Sequence, residues 1–209
     1  MALKPSIAAM VASIDKEFTQ YPASLRYNDS PDVNLAESTE EIFDLAEMLD
    51  ERLKAYQKHN DGRLPKRIIF FRDGLSEDQL ENYYKTESAR LTTSISRRYA
   101  TVGAALPETM WMCTVKRHET RFFADNTGTS AKHVKPDGNP VSGVAFFNEV
   151  TNGRGSDFYL VSADTIKGTA RPTHYVVLEN SVKISDKDNR STRTPTIQEI
   201  AEMVSNADA

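Results

Sequence analysis

One carboxylate in the sequence stands out because it follows an apolar run. Asp73 comes after residues 68–71 (IIFF) and precedes Gly74 and a polar segment that can begin a helix. In open α/β sheets, ligands gather at the carboxyl ends of strands, so a carboxylate in this position could hold a divalent metal. Alternatively, Asp73 only begins the turn ahead of Ser76. The residues alone leave both interpretations open.

A cationic segment, residues 116–121 (KRHETR), follows a later apolar run. In an extended backbone alternate side chains share a face, so Arg117 and Arg121 would point to one side. Lys116 and His118 would point to the opposite side. Either set could bind phosphate oxygens, arginine through its planar fork and lysine as a point charge. The alternative is a charged strand end at the protein surface.

Residues 168–171 (GTAR) are a third candidate group. Gly168 offers a backbone N–H, Thr169 a hydroxyl and Arg171 a guanidinium within one short string. In isolation this string is a weak signal for anion binding. The four histidines of the chain do not have metal-ligand spacing. The single cysteine, Cys113, lies in an apolar run and is expected in the core.

Charge is distributed unevenly along the chain. The formal net charge is −4, yet residues 61–135 hold 13 basic and 9 acidic groups. The acidic total argues against a protein that coats polyanions, whereas the basic middle allows a local phosphate-binding surface. Because no apolar stretch reaches the ~18 residues that span a bilayer, no membrane partner is predicted.

Hydrophobic patterns predict an α/β domain with a mixed sheet, because strands and helices alternate in the first half and strands dominate the second. The run at 68–71 is interpreted as a buried central strand, and the run at 7–14 as another buried strand. Capping-box spacing begins two helices, near Ser38 and Ser76. The predicted strands are 7–14, 23–27, 68–71, 109–115, 144–150, 157–162 and 171–179. Three helices are predicted: residues 39–58, a second helix that places Leu80, Tyr84, Leu91 and Ile95 on a single face, and residues 196–205.

Several strings in the chain, in their order and spacing, resemble the Piwi domain of eukaryotic Argonaute proteins. They are residues 5–9 (PSIAA), 67–74 (RIIFFRDG) with 76–79 (SEDQ), 116–123 (KRHETRFF), 138–139 (GN), 157–162 (DFYLVS) and 168–175 (GTARPTHY). The resemblance implies an RNase H-like mixed sheet flanked by helices, whose first strand is expected to be missing. On this basis residues 1–180 are assigned to a partial Piwi domain. Residues 181–209 are assigned to a polar connection and a short C-terminal helix.

The resemblance also implies a catalytic centre. Asp73 matches the family's catalytic, metal-binding aspartate, and Glu40 matches its catalytic glutamate, whereas the capping-box position of the neighbouring Glu41 favours a structural role. We therefore expect the carboxylates of Asp73 and Glu40 to approach one another. Members of the family that cleave RNA use two metal ions, so the implied cofactor of a catalytic chain is Mg²⁺ or Mn²⁺.

The implied nucleic-acid contacts lie in the cationic segments. Lys116, Arg121 and Arg171 match residues that hold guide phosphates in the family, and we expect them to share one positive surface. The further candidates for nucleic-acid binding are Arg117, His118 and Thr169.

The chain also departs from the family pattern. The family's first catalytic aspartate is expected upstream of residue 5, and its final metal ligand downstream of residues 168–175, without a convincing match in this chain. Ala163 replaces a guide-contacting histidine. The favoured interpretation is a domain of the RNA-silencing machinery that binds guide RNA and its target but is not cleavage-competent alone.

Two alternative functions remain open. The chain could be a metal-dependent endoribonuclease, completed by another chain or by a substitute carboxylate such as Asp15, or it could be a non-catalytic protein-interaction module. The expected partners are a small guide RNA, complementary RNA and the remainder of an Argonaute or other silencing proteins, in the cytoplasm or nucleus. Loss of the first strand would expose the sheet edge at 68–71, which predicts marginal stability, aggregation or dependence on a partner.

Overall fold

The computed structural model describes residues 6–28, 41–123, 133–147, 156–185, 192–193 and 195–207. The chain divides into two compact units. The first unit contains residues 1–68 and 78–108, and the second contains residues 69–77 and 109–209. None of the helices in the described part of the chain is long and apolar enough to cross a membrane.

The first unit combines a two-stranded sheet with two helices. β1 (Ser6–Val11) and β2 (Ala23–Asn28) are antiparallel. α1 (Leu45–His59) and α2 (Leu80–Thr101) pack against each other, and α1 also contacts both strands. The unit is therefore a small layer of strands with helices on one side.

Apolar and polar contacts together join α1 to α2. Met48, Leu49 and Leu53 are buried on the inner face of α1. Arg98 of α2 donates two hydrogen bonds of 2.7 Å to the carboxylate of Asp50 on α1. A bidentate pair of this kind requires one relative orientation of guanidinium and carboxylate, so it specifies how the two helices align.

The predicted apolar face of α2 is confirmed. Leu80, Leu91 and Ile95 are buried, and Tyr84 is half-buried. A short 3-10 helix, Glu77–Gln79, precedes α2 where the sequence predicted a helix start. Helical spacing of apolar residues was sufficient here because the side chains of one face must lie on one side of the helix.

The predicted start of α1 is wrong. The sequence placed it at residue 39, but α1 begins at Leu45 and residues 41–44 precede it without helical structure. Asp44 occupies the N-cap position and makes no capping hydrogen bond through its side chain. The carboxylate of Glu41 instead pairs with Arg90 of α2 at 2.7 Å. The carboxylate that the spacing assigned to a capping box thus makes a tertiary ion pair, whereas Ser38, its expected partner, lies outside the described residues.

The interpretation of β1 as a buried strand is also wrong. Of its six residues only Ala8 is buried, while Ile7 is 69% exposed and Val11 59% exposed. The register places Ile7 opposite Tyr27 and Ala9 opposite Leu25. Because neighbouring residues of a strand face opposite sides, this apolar face of the β1–β2 sheet points away from α1.

The second unit is built on a five-stranded sheet in the order β3-β4-β7-β6-β5. Its strands are β3 (Arg67–Asp73), β4 (Glu108–Val115), β5 (Ala145–Phe146), β6 (Asp157–Leu160) and β7 (Thr173–Asn180). The pairs β4–β7, β6–β7 and β5–β6 are antiparallel.

β3 and β4 run parallel, which makes the sheet mixed, as predicted. At the start of the two strands, the backbone N–H of Glu108 donates to the Lys66 carbonyl at 3.0 Å. Near their other ends, the Thr114 hydroxyl lies 3.5 Å from the Arg72 carbonyl. Both contacts join residues 42 positions apart, which is the constant offset of a parallel register. The helix α2 supplies the crossover connection that parallel strands need.

β3 is not the buried central strand that its apolar run suggested. Among the described strands it has a neighbour, β4, on one side only, and it lies at the edge of the sheet. Phe71 is 47% exposed. Phe70 stacks on Trp111 of β4 with ring centroids 4.2 Å apart. An apolar run therefore marked a strand correctly, but it could not specify how many neighbours the strand has.

The core of the second unit includes residues from the C-terminal part of the chain. α3 (Ile197–Ala207) contributes Ile200, Ala201 and Val204. They pack with Phe158 and other residues of β4, β6 and β7, together with Val182. Cys113 of β4 is buried, as predicted. A small two-stranded sheet, β8 (Ile184–Ser185) and β9 (Thr192–Arg193), completes the described strands.

Candidate nucleic-acid interface

Three segments of the second unit meet at the edge of the five-stranded sheet that is formed by the ends of its strands. β3 and β4 are parallel and end at Asp73 and Val115, so the residues that follow them lie at the same edge. β7 is antiparallel to β4 and places His174 opposite Val115, so the residues before β7 lie there too. The topology thus brings together sequence candidates from three separate parts of the chain.

Asp73 binds one of the other candidates, Lys116. The Nζ of Lys116 donates to Oδ2 of Asp73 at 2.7 Å, and the backbone N–H of Gly74 donates to Oδ1 at 2.9 Å. Gly74 has φ +94°, a left-handed conformation that suits glycine. Partial desolvation of Asp73 disfavours its charged form, but the hydrogen bond and charge of Lys116 outweigh this effect, so the pKa of the Asp73 carboxyl lies below its usual value.

The described residues do not form a complete divalent-metal site around Asp73. In the described parts of the chain, no three His, Cys, Asp or Glu side chains lie together as a metal would require. Both carboxylate oxygens of Asp73 already accept hydrogen bonds, one of them from a lysine. Mg²⁺ prefers several oxygen ligands and is bound through carboxylates together with water or phosphate. Asp73 alone therefore does not fit the two-metal centre that the resemblance implies.

The predicted approach of Asp73 and Glu40 stays a prediction, because Glu40 lies outside the described residues. Glu41 is described, and it belongs to the first unit. There its carboxylate pairs with Arg90, and its backbone carbonyl accepts a 2.7 Å hydrogen bond from the side-chain amide of Asn28. These contacts give Glu41 a structural role.

His118 joins two of the three segments. Its Nε2–H donates to the backbone carbonyl of Pro172 at 2.9 Å, and its ring lies edge-on to Tyr159 with centroids 5.3 Å apart. The half-buried His118 therefore holds residues 116–121 against the segment that contains Arg171. Arg117, immediately before His118, is exposed.

Arg121 folds back onto its own segment. Its Nη1 donates to the carbonyls of His118 at 3.1 Å and Thr120 at 2.7 Å, and the side chain is half-buried. These hydrogen bonds shape the backbone between His118 and Arg121. Of the three residues expected to hold phosphates, Lys116 and Arg171 are exposed, whereas Arg121 is partly occupied by these contacts.

The loop that carries Thr169 and Arg171 is held by a buried amide. The side chain of Asn139 donates from Nδ2 to the Gly168 carbonyl at 2.9 Å, and its Oδ1 accepts the Ala170 N–H at 2.8 Å. Gly168 has φ +87°, so the turn requires a residue that tolerates the left-handed region. Thr169 and Arg171 themselves are exposed.

The sequence analysis did not identify the buried side chains that pack beneath the exposed candidates, namely those of Asp157, Tyr159 and His174. The Nε2–H of His174 donates to Oδ2 of Asp157 at 2.9 Å, and both residues are almost fully buried. The His174 ring stacks on Tyr159 at 4.3 Å, and Tyr159 in turn contacts His118. The strings around residues 138–139, 157–162 and 168–175 contained Asn139 and this cluster, but they gave no supporting role to any of these side chains.

These features define an α/β protein with a mixed sheet and with exposed cations near the carboxyl ends of β3 and β4. A family model described as the Piwi domain matches residues 2–191. Protein argonaute 18 of Oryza sativa subsp. japonica is 34% identical over 178 residues, or 84% of this chain. Protein argonaute 7 of the same organism is 36% identical over 177 residues, or 83% of the chain. The matches span only 15% and 16% of the length of these two relatives.

Solved structures agree with this assignment. The C-terminal lobe of a budding yeast Argonaute has a TM-score of 0.78 and 29% identity, covering 99% of this chain and 40% of that one. The Argonaute of Kluyveromyces polysporus, solved with a guide RNA, also has a TM-score of 0.78, with 30% identity over 97% of this chain and 23% of that one. The chain belongs to the Piwi domain family and has the RNase H-like fold of Argonaute proteins.

Proposed function

We propose that the chain binds the sugar-phosphate backbone of RNA, as the Piwi part of the RNA-silencing machinery. The observation that carries the proposal is the His118–Pro172 hydrogen bond, which holds the segment of Lys116 next to the segment of Arg171. Both of these cations are exposed. Charged contacts to phosphates give affinity without sequence preference, and their number sets the salt dependence of binding.

The proposed ligand is a small guide RNA together with its complementary RNA. The similar Argonaute of Kluyveromyces polysporus was solved with a guide RNA, which supports an RNA ligand for the same fold. We also propose that the remainder of an Argonaute or other silencing proteins are partners, and that the chain acts in the cytoplasm or nucleus, where transcripts occur. Residues 1–180 are proposed as the Piwi part, followed by a connection and helix at 181–209.

The experiment is a salt titration of RNA affinity, with Arg171→Ala compared against Arg63→Ala. Arg63 is an exposed arginine of the first unit and serves as the matched control. Loss of one phosphate contact should weaken binding similarly for unrelated RNA sequences and lower the salt slope by about one unit. Equal effects of the two substitutions, or wild-type affinity that does not depend on salt, would show that Arg171 does not bind phosphate.

A catalytic function is proposed only for an assembly that supplies further ligands. Asp73 contributes a single carboxylate, already bound by Lys116, whereas two-metal hydrolysis needs several converging carboxylates. We therefore expect the purified chain not to cleave guide-paired RNA in Mg²⁺ or Mn²⁺. Metal-dependent cleavage that disappears on Asp73→Ala would instead establish the endoribonuclease.

A further inference from the structure

The two residues that the family pattern assigns to different tasks contact each other. Asp73 matches a catalytic carboxylate and Lys116 a phosphate ligand, yet they form an ion pair of 2.7 Å. The side chain of Lys116 is 62% exposed and that of Asp73 is 57% exposed, so an RNA backbone can reach the pair from solvent. A lysine that is bound by a carboxylate must leave it, wholly or in part, before it can bind a phosphate.

The geometry indicates which partner is fixed and which can move. The Gly74 N–H holds one oxygen of Asp73 at 2.9 Å, so the carboxylate is oriented by the backbone turn that follows β3. Lys116 has a flexible four-carbon stem and a compact ammonium group, which binds carboxylate and phosphate oxygens by the same charge-assisted hydrogen bond. Carboxylate and phosphate are therefore alternative acceptors for one ammonium group.

We propose that the carboxylate of Asp73 competes with the RNA backbone for Lys116 and so lowers the affinity of the chain for RNA. In the absence of RNA, Asp73 takes the place of a phosphate oxygen at Lys116. When RNA binds, the ammonium moves from Asp73 to a phosphate, and the carboxylate is left with the Gly74 N–H. This inference rests on the proposed RNA-binding function and adds an intramolecular competitor to it.

The test is a double-mutant cycle on RNA affinity, measured by fluorescence anisotropy with one labelled single-stranded RNA at low salt. The variants are Asp73→Asn, Lys116→Met and the double substitution. Exposed ion pairs couple weakly, so Asp73→Asn should raise affinity by roughly two- to fivefold in the wild-type background. The gain should vanish when Lys116 is already methionine.

Glu202→Gln is the matched control for net charge. Glu202 is an exposed carboxylate on α3 of the same unit, and its neutralisation changes the formal charge by the same amount. We expect it to change affinity by less than Asp73→Asn does. An equal gain from Glu202→Gln, or a gain from Asp73→Asn that persists with Lys116→Met, would show a general charge effect and overturn the competition.

A measurement without RNA separates this inference from the proposed function. The amine of Lys116 should be acylated faster in Asp73→Asn than in the wild type, as followed by peptide mass spectrometry. Unchanged acylation, or RNA binding that Asp73→Asn does not strengthen, overturns the competition while the proposed function stands. If neither the wild type nor Asp73→Asn binds RNA, the competition and the proposed function both fail.

Discussion

Replacing Asn139 by alanine should destabilise the second unit and weaken RNA binding through one loop. Asn139 is buried, and its amide bridges the Gly168 carbonyl and the Ala170 N–H. Alanine removes both of these hydrogen bonds, and also the 3.1 Å hydrogen bond from Nδ2 of Asn139 to Oδ2 of the exposed Asp137, and leaves no side-chain group to replace them. Ala170 is itself only 2% exposed, so water cannot reach its N–H without opening the loop.

The expected magnitude follows from these two contacts. Leaving a buried donor unsatisfied costs about 1–3 kcal/mol, and losing a second neutral hydrogen bond costs about 0.5–1.5 kcal/mol, so the sum is about 1.5–4.5 kcal/mol. Urea denaturation should therefore show a lower midpoint with an unchanged m-value. Because Thr169 and Arg171 lie on this loop, RNA affinity should also fall under conditions in which the variant remains folded.

Asn82→Ala is the matched control, because Asn82 is exposed on α2 of the first unit. Surface substitutions of this kind usually change stability by about 0.5 kcal/mol or less. If Asn139→Ala is no more destabilising than Asn82→Ala, the Asn139 amide does not stabilise the loop. If Asn139→Ala keeps wild-type RNA affinity, the loop that this amide holds does not contribute to RNA binding.

Two further predictions concern other parts of the chain. Hydrogen bonds from Arg193, and from the backbone of Thr196, lower the pKa of Glu199 from 4.5 to about 2. Because the pKa of Glu199 is lower in the folded than in the unfolded state, the ionised carboxylate stabilises the fold fully above pH 4.5, and this stabilisation is lost as the pH falls through about 2. Denaturation curves should therefore show that Glu199→Gln is destabilising at neutral pH but not at pH 2. The apolar face of the β1–β2 sheet, where Leu25 is 62% and Tyr27 72% exposed, is expected to drive self-association of the chain. Substitution of either residue by lysine should then lower the association constant, measured by sedimentation velocity, by up to roughly tenfold. Wild-type chain that stays monomeric at all accessible concentrations would contradict this second expectation.

The sequence by itself determined those features that depend on neighbours along the chain. The spacing of Leu80, Leu91 and Ile95 specified the buried face of α2, because helical geometry places such residues on one side. The apolar run that contains Cys113 specified a buried strand, β4. The combined strings also specified the Piwi family and with it the RNase H-like fold, since their order and spacing carry more information than any one of them.

The tertiary structure alone decided where apolar strands are exposed and where helices begin. An apolar run states that a strand forms, but the number of neighbouring strands and covering helices depends on distant residues. β1 is therefore largely exposed and β3 lies at a sheet edge among the described strands, although both were expected to be buried. In the same way, α1 begins at Leu45 and not at residue 39, and the Glu41 carboxylate pairs with Arg90, which is 49 residues away along the chain.

The contacts of the candidate site also depended on the tertiary structure. Asp73 and Lys116 are 43 residues apart, and Asn139 and Gly168 are 29 apart, so no local pattern relates them. They meet because β3 and β4 are parallel and because the loop before β7 returns to the same edge of the sheet. Sequence types could identify which side chains can bind a phosphate or a metal, whereas only the sheet topology determined that Asp73 and Lys116 bind each other.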